Sequence, residues 1–428
     1  MTQPNFTAEV YQNQYLPAGG TTVDAVVTVT AGAQGAAAQA VNLSRAEIIM
    51  VDCSGSMSDP PSKMVEAKRA TTAAIGTLPD GVPFAVVCGR AHATMVYPSD
   101  PGLVPASARS RAEATAAVGL LEPAGGTAMG TWLYLAQQIF RQSTADVKHA
   151  ILLTDGRNQH ETPDQLATTL RACEGRFLCD SRGVGADWSG TELRTIASAL
   201  LGTADGLPDP AGLVEDFTEM TRTAMGKSVA EVSLRLWTPA GATIRFVKQV
   251  FPAVEDLTGR RRQVSARIGD YPLGAWGAES RDYHVSVEVP AGAVGEEMLA
   301  ARVSLVAADT VLTQSLVLAN WTDDAALSTK INPRVAHYTG QAELADAIQA
   351  GLAARDAGDE DTATAKLGRA VQLAEESGHT DTAKLLAKVV DVVDASTGTV
   401  RLKQKVEGVD AEMANVRSVK TVRVKEGS

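Results

Sequence analysis

A chain of 428 residues exceeds one ordinary domain and points to two or three. Its 45% apolar content suffices for real cores, and 4% aromatic content makes those cores lean on Ala, Val and Leu. A net charge of -11 and a pI near 5.2 exclude nucleic acid and anionic membrane as partners for the body of the protein, and no stretch approaches the roughly twenty apolar residues of a membrane-spanning helix.

Residues 1–45 read as β-structure. Residues 6–11 alternate apolar and polar, Pro17 to Gly20 turn, residues 22–30 alternate again, and 31–39 form a loop of small residues. Two strands are marginal alone, so these need partners elsewhere. The start of the chain lacks the basic and then apolar pattern of a signal peptide, which predicts a cytoplasmic protein.

From 46 to 227, strands alternate with helices. Apolar runs separated by helical patterns predict a doubly wound, mostly parallel α/β sheet buried on both faces. Residues 46–51 and 149–153 read as two of its buried strands. A helix is predicted over 62–78, where Met64, Thr71, Ile75 and Leu78 share a face and Pro79, Asp80 and Gly81 stop it. Residues 84–89 and 93–97 read as a strand pair. A helix beginning at Thr127 or Gly130 runs to Arg141, and Pro163 opens another that reaches Leu170. A strand over 177–184, a helix over 191–201, a short strand near Gly206 and a helix over 212–225 close the unit.

Residues 228–325 return to a period of two. Strands over 229–237, 243–250, 282–289, 299–306 and 311–318 predict a β-sandwich. The N-terminal strands are expected to complete it, so that the α/β unit is inserted in, or joined to, one β-domain. Residues 339–396 are Ala- and Leu-rich helices broken at Gly358 and Gly378, with Leu344, Ile348 and Leu352 facing Leu367, Val371 and Leu373. Their acidic excess reads as a solvated face. Residues 400–428 are net basic and carry too few apolar residues for a core. They predict a flexible tail, with a regulatory segment and phosphorylation of Thr421 as its functional version. The four cysteines have no zinc spacing and read as small buried thiols in a reducing compartment.

Three short stretches far apart fit together as one metal site. Asp52, Cys53, Ser54, Gly55 and Ser56 follow the 46–51 strand; Gly125, Gly126 and Thr127 come later; Thr154, Asp155 and Gly156 follow the 149–153 strand. Two parallel strands ending side by side deliver both carboxylates to one crevice. Carboxylate and hydroxyl oxygens are hard donors of the kind magnesium and manganese prefer.

This set resembles the metal-ion-dependent adhesion site of von Willebrand factor type A (VWA) domains, here of a bacterial intracellular type. The order of strands and helices from 46 to 227 resembles the same fold, including the Gly183, Val184, Gly185 turn before a late helix. The resemblance implies that Asp52, Ser54, Ser56, Thr127 and Asp155 bind Mg2+ or Mn2+. Ser54 and Ser56 would bind directly, Asp52 and Asp155 directly or through water, and Thr127 in the ligand-competent state. Neutral hydroxyls leave the ion short of negative charge, so an open position attracts an Asp or Glu of a partner protein. Gly125 and Gly126 give Thr127 room to shift. The expected function is a metal-dependent protein-interaction module and not an enzyme. The alternatives are a structural VWA scaffold with an unused site, or a metal-dependent hydrolase with His92, His149 or His160 as base. No H-E-x-x-H, G-x-S-x-G or P-loop supports the hydrolase.

Overall fold

The computed structural model describes residues 5–32, 43–308 and 310–424. The chain divides into two compact units. One joins Met1–Val41, Ser228–Lys405 and Arg417–Ser428; the other joins Asn42–Lys227 and Val406–Val416.

The second unit is built on a mostly parallel sheet in the order Ala204–Leu207, Leu178–Val184, Val147–Thr154, Arg45–Asp52, Pro83–Gly89 and Thr94–Tyr97. Only the last strand and the short Val104–Pro105 run antiparallel, both against Pro83–Gly89. Arg45–Asp52 is central, with Ile49 level with Val86 on one side and Ile151 on the other. A strand flanked on both sides and covered on both faces has no solvated edge, which is why it reads as a continuous apolar run. Ser62–Thr77, Ala108–Gly119 and Leu213–Met225 share one core with Ile49, Val51, Val86, Ile151 and Leu153. Met129–Arg141, Pro163–Cys173 and Gly190–Ala199 cover the other face, where Trp132, Leu133, Phe140 and Leu193 are buried. From the central strand the chain goes first to one neighbour and later to the other. That reversal opens a crevice at the carboxyl ends of Arg45–Asp52 and Val147–Thr154.

The helix Ala108–Gly119 has no counterpart in the sequence reading. Its Ala, Arg and Ser composition carries little periodicity, and only Ser110, Ala114 and Val118 are buried. Its start is instead written in a capping box, in which the Ser107 and Ser110 side chains serve each other's backbone N–H.

The first unit holds two large antiparallel-rich sheets among its described residues, beside a two-stranded hairpin. The five-stranded one runs Phe6–Gln12, Thr22–Ala31, Ser280–Glu288, Thr243–Phe251, Glu255–Asp256. The six-stranded one runs Arg262–Ser265, Ile268–Trp276, Val229–Trp237, Glu297–Ala307, Thr310–Thr322, Tyr15–Pro17. Thr22–Ala31 therefore lies between a strand close to it in sequence and one some 250 residues away, with Val27 level with both Val10 and Tyr283. Val23, Ala25, Val27 and Val29 enter one core with Leu234, Tyr271, Trp276, Tyr283 and Trp321. The strand Ile268–Trp276 was not foreseen because Gly269, Pro272 and Gly274 break its pattern. Gly274 adopts φ +76, beside an irregularity in the pairing with Val232.

In the helical segment, Leu344, Ile348, Leu352, Leu367, Val371 and Leu373 are all buried. Pro333–Asp356 begins earlier than expected, because Asn332 caps it and Pro333 occupies the first turn. Thr380–Val389 ends earlier than expected. Val390–Asp394 instead pairs with Thr399–Leu402 as a hairpin, in keeping with its β-branched residues. The expectation of a flexible tail is corrected for residues 400–424; residues 425–428 lie outside the described residues. Gly408–Arg417 is a helix that buries Met413, Ala414 and Val416. Beyond it, the Thr421 hydroxyl donates to the Val250 carbonyl at 2.7 Å and its N–H to that of Pro252. A tail short of apolar residues of its own is ordered by backbone and side-chain groups supplied from elsewhere. No helix among the described residues is long and apolar enough to cross a membrane.

Candidate functional site

Asp52 ends the central strand and Asp155 follows the end of its neighbour; both are fully buried. Asp52 folds back on its own loop. Its Oδ1 accepts the Ser54 N–H at 2.7 Å and its Oδ2 accepts the Thr154 hydroxyl at 2.6 Å. The Ser54 and Ser56 hydroxyl oxygens are 3.0 Å apart, and Ser56 donates to Asp155 Oδ1 at 2.7 Å. A Cβ placed on Gly156 would lie 3.5 Å from Ser56 Oγ and 3.6 Å from Thr127 Oγ1. Both hydroxyls thus flank one point beside Asp155. The structure brings the five residues singled out from the sequence to one place, with Asp52 at the floor and exposed Ser56 at the mouth.

Backbone bonds hold the three loops together. The Gly55 N–H donates to the Gly125 carbonyl at 2.9 Å, and that of Ala124 to the Cys53 carbonyl at 2.7 Å. Gly125 has φ +77, a conformation that favours glycine. The Thr127 carbonyl accepts the N–H groups of Gln159 and His160. The His160 ring occupies the space that a Cβ on Gly126 would need.

Burial pushes the Asp52 carboxyl up to about 6; the bonds from Ser54 and Thr154 offset this in part, and the Asp155 charge adds to it. A carboxylate so placed favours a cation nearby. Two carboxylates and three hydroxyls make a donor set suited to a small hard divalent ion.

A VWA domain family model matches residues 47–205, and a model of the VWA C-terminal domain matches residues 372–418. A solved structure described as von Willebrand factor type A from Catenulispora acidiphila is 54% identical, covers 99% of this chain and 98% of its own, and superposes with a TM-score of 0.93. The chain belongs to the von Willebrand factor type A family. The ArnB paralog VWA2 from Sulfolobus acidocaldarius, at 13% identity over 97% of this chain and 98% of that one with a TM-score of 0.57, shares the fold. A structure of proximal thread matrix protein 1 from the mussel byssus, with a zinc-occupied MIDAS motif, matches 42% of this chain and 46% of its own at 28% identity and a TM-score of 0.36. No curated protein matches.

Two polar groups of this VWA unit, Lys63 and Glu412, escaped the sequence reading. Lys63, in the first turn of Ser62–Thr77, is 3% exposed and places Nζ 2.9 Å from Asp155 Oδ2 and 3.5 Å from Asp187 Oδ2. Burial pulls its pKa down, but the two carboxylates outweigh this and hold it above the usual lysine range. Its one sequence signal is a cation at a helix N-terminus, where the helix dipole disfavours it. Glu412, in the C-terminal helix, accepts from Arg157 at 2.9 Å and from the Gly190 N–H at 2.7 Å, so it caps Gly190–Ala199 and holds the loop after Asp155. His149, one of the candidate bases, lies five residues before Thr154, roughly 16 Å along the strand. It bridges Glu47 at 2.8 Å and Asp180 at 3.0 Å and belongs to the interior. His92 is exposed.

Proposed function

We propose that this VWA protein is a divalent-metal-dependent protein-interaction module. Asp52, Ser54, Ser56, Thr127 and Asp155 would hold Mg2+ or Mn2+, and the bound ion would supply an electrophilic position for an Asp or Glu side chain of another protein. The observation that carries this reading is the convergence of three hydroxyls and only two carboxylates at the mouth of the sheet's switch-point crevice. A site rich in neutral donors leaves the ion's charge incompletely matched, which suits capture of an outside carboxylate. The intracellular, bacterial setting and a binding rather than catalytic role belong to the same proposal.

A metal-dependent hydrolase is the alternative, and one observation favours it: the His160 ring sits over Gly126, next to Thr127. Metal-dependent hydrolysis of a simple phosphate or carboxylate ester, lost in His160→Ala, would support that reading over ours.

Thermal unfolding tests the metal site. Saturating Mg2+ at about 100 times its Kd is expected to stabilise the wild type by about 2.7 kcal/mol. Asp52→Asn keeps an acceptor for the Ser54 N–H and removes the buried charge, so it is expected to fold and to lose the Mg2+ response. A wild type indifferent to Mg2+ would contradict the reading.

A further inference from the structure

Lys63 brings a full positive charge into the wall of the proposed metal site. The contact is water-poor, since Lys63 is 3% exposed and Asp155 is fully buried. The two oxygens of Asp155 are divided: Oδ1 takes the Ser56 hydroxyl at 2.7 Å and Oδ2 takes the Lys63 ammonium at 2.9 Å. The stem of Lys63 passes Gly185, where an added Cβ would stand 2.8 Å from Lys63 Cε and where φ is +75. Glycine at the turn after Leu178–Val184 therefore leaves the lysine its path. Asp187 meets the ammonium at 3.5 Å from the solvent side, but its side chain is 71% exposed and water screens its charge.

We propose that Lys63 is a fixed counter-charge that keeps the loaded metal site electrophilic and thereby sets its preference for acidic partners. The inference rests on the metal-dependent reading above and extends it to a residue outside the ligand set. Asp52, Asp155 and Lys63 together carry one negative charge, and a divalent ion turns that into one positive charge. With a neutral residue at 63 the side chains carry two negative charges, and the same ion only neutralises them. The ammonium therefore weakens metal binding and strengthens carboxylate binding, because in a water-poor site charges a few ångströms apart interact strongly. A merely structural lysine would not produce effects of opposite sign on the two equilibria.

The test uses the full-length protein with Mn2+ alone and then with acetate as the carboxylate probe. Mn2+ affinity is read by calorimetry. Acetate affinity for the Mn2+-loaded protein is read from the fall in water-proton relaxation as acetate displaces water. Lys63→Gln, which keeps a donor toward Asp155 and loses the charge, is expected to bind Mn2+ about tenfold tighter and acetate about tenfold more weakly. Lys63→Arg, which keeps the charge, is expected to stay within about threefold of wild type in both. If Lys63→Gln does not fold, Lys63→Met prepared with Mn2+ present gives the same two readings. Both affinities falling together, neither changing, or both variants failing to fold even with Mn2+ would overturn the role of Lys63 and leave the metal reading standing. A wild type that binds no Mn2+ would overturn both.

Discussion

Deleting residues 1–40 is expected to unfold the β-unit and leave the VWA sheet intact. The deletion removes Thr22–Ala31, an interior strand of the five-stranded sheet. Val23, Ala25, Val27 and Val29 would leave the core, with Ser280–Glu288 exposed along the ladder it shares with that strand. Burying a valine side chain contributes about 1.5–3 kcal/mol, so three of them with their strand pairing approach the whole stability of an ordinary domain, about 5–15 kcal/mol. Hydrogen exchange resolves the outcome by element. Amides of Ser280–Glu288 and Thr243–Phe251 should lose protection, whereas those of Arg45–Asp52 and Val147–Thr154 should keep it. Retained protection in Ser280–Glu288 would show that the N-terminal strands are dispensable to that unit.

The largest single-residue effect on stability is expected at His149. Glu47 and Asp180 sit on opposite sides of its ring, and Glu47 is wholly buried. Burial pulls the imidazole pKa down, but the two carboxylates outweigh it and push it up to about 10. The partners respond in opposite directions. Burial raises Glu47 more than its bonds to His149 lower it, whereas Asp180 also faces Arg182 and Thr203 and falls below the usual range despite its burial. His149 is thus an imidazolium shared between two carboxylates. His149→Leu takes the counter-charge from buried Glu47 and one of the partners from Asp180, and should cost about 3–5 kcal/mol, seen as a lowered unfolding midpoint at pH 7. The sign of the pH dependence follows from the raised pKa. The stabilisation is complete below the unfolded value of about 6.5 and is lost as pH rises through about 10. Wild-type stability should therefore decline from pH 7 to pH 10. In the folded protein the His149 ring should remain protonated at pH 8 by NMR; a neutral ring there would contradict the assignment.

What could be read from the residues depended on how local their information was. Apolar runs ending in Asp52 and in Thr154 mark buried strands with polar ends, so the sheet and the meeting of its two loops were legible. Glycines and a threonine in sequence, at 125–127, signalled the third loop. Ala108–Gly119 was not legible, because its buried face is only Ser110, Ala114 and Val118. Ile268–Trp276 was hidden by residues that bulge a strand rather than end it. The stretch 400–424 was misread, because its order comes from groups distant in the chain. Lys63 and Glu412 show the same limit within the VWA unit. Lys63 meets its partner 92 residues away, and Glu412 meets Arg157 and Gly190 across 255 and 222 residues. A charged side chain whose partner is that remote looks, in sequence, like any other surface charge.

Direct titration of the chelated protein with Mg2+ and Mn2+ by calorimetry, beside Ser54→Ala, tests the central claim most directly. Ser54 is buried, and its hydroxyl lies 3.0 Å from that of Ser56. The predicted result is saturable binding at one site in the wild type and its loss in Ser54→Ala, with both proteins folded. Absence of binding in the wild type, or binding that Ser54→Ala leaves unchanged, would contradict the account.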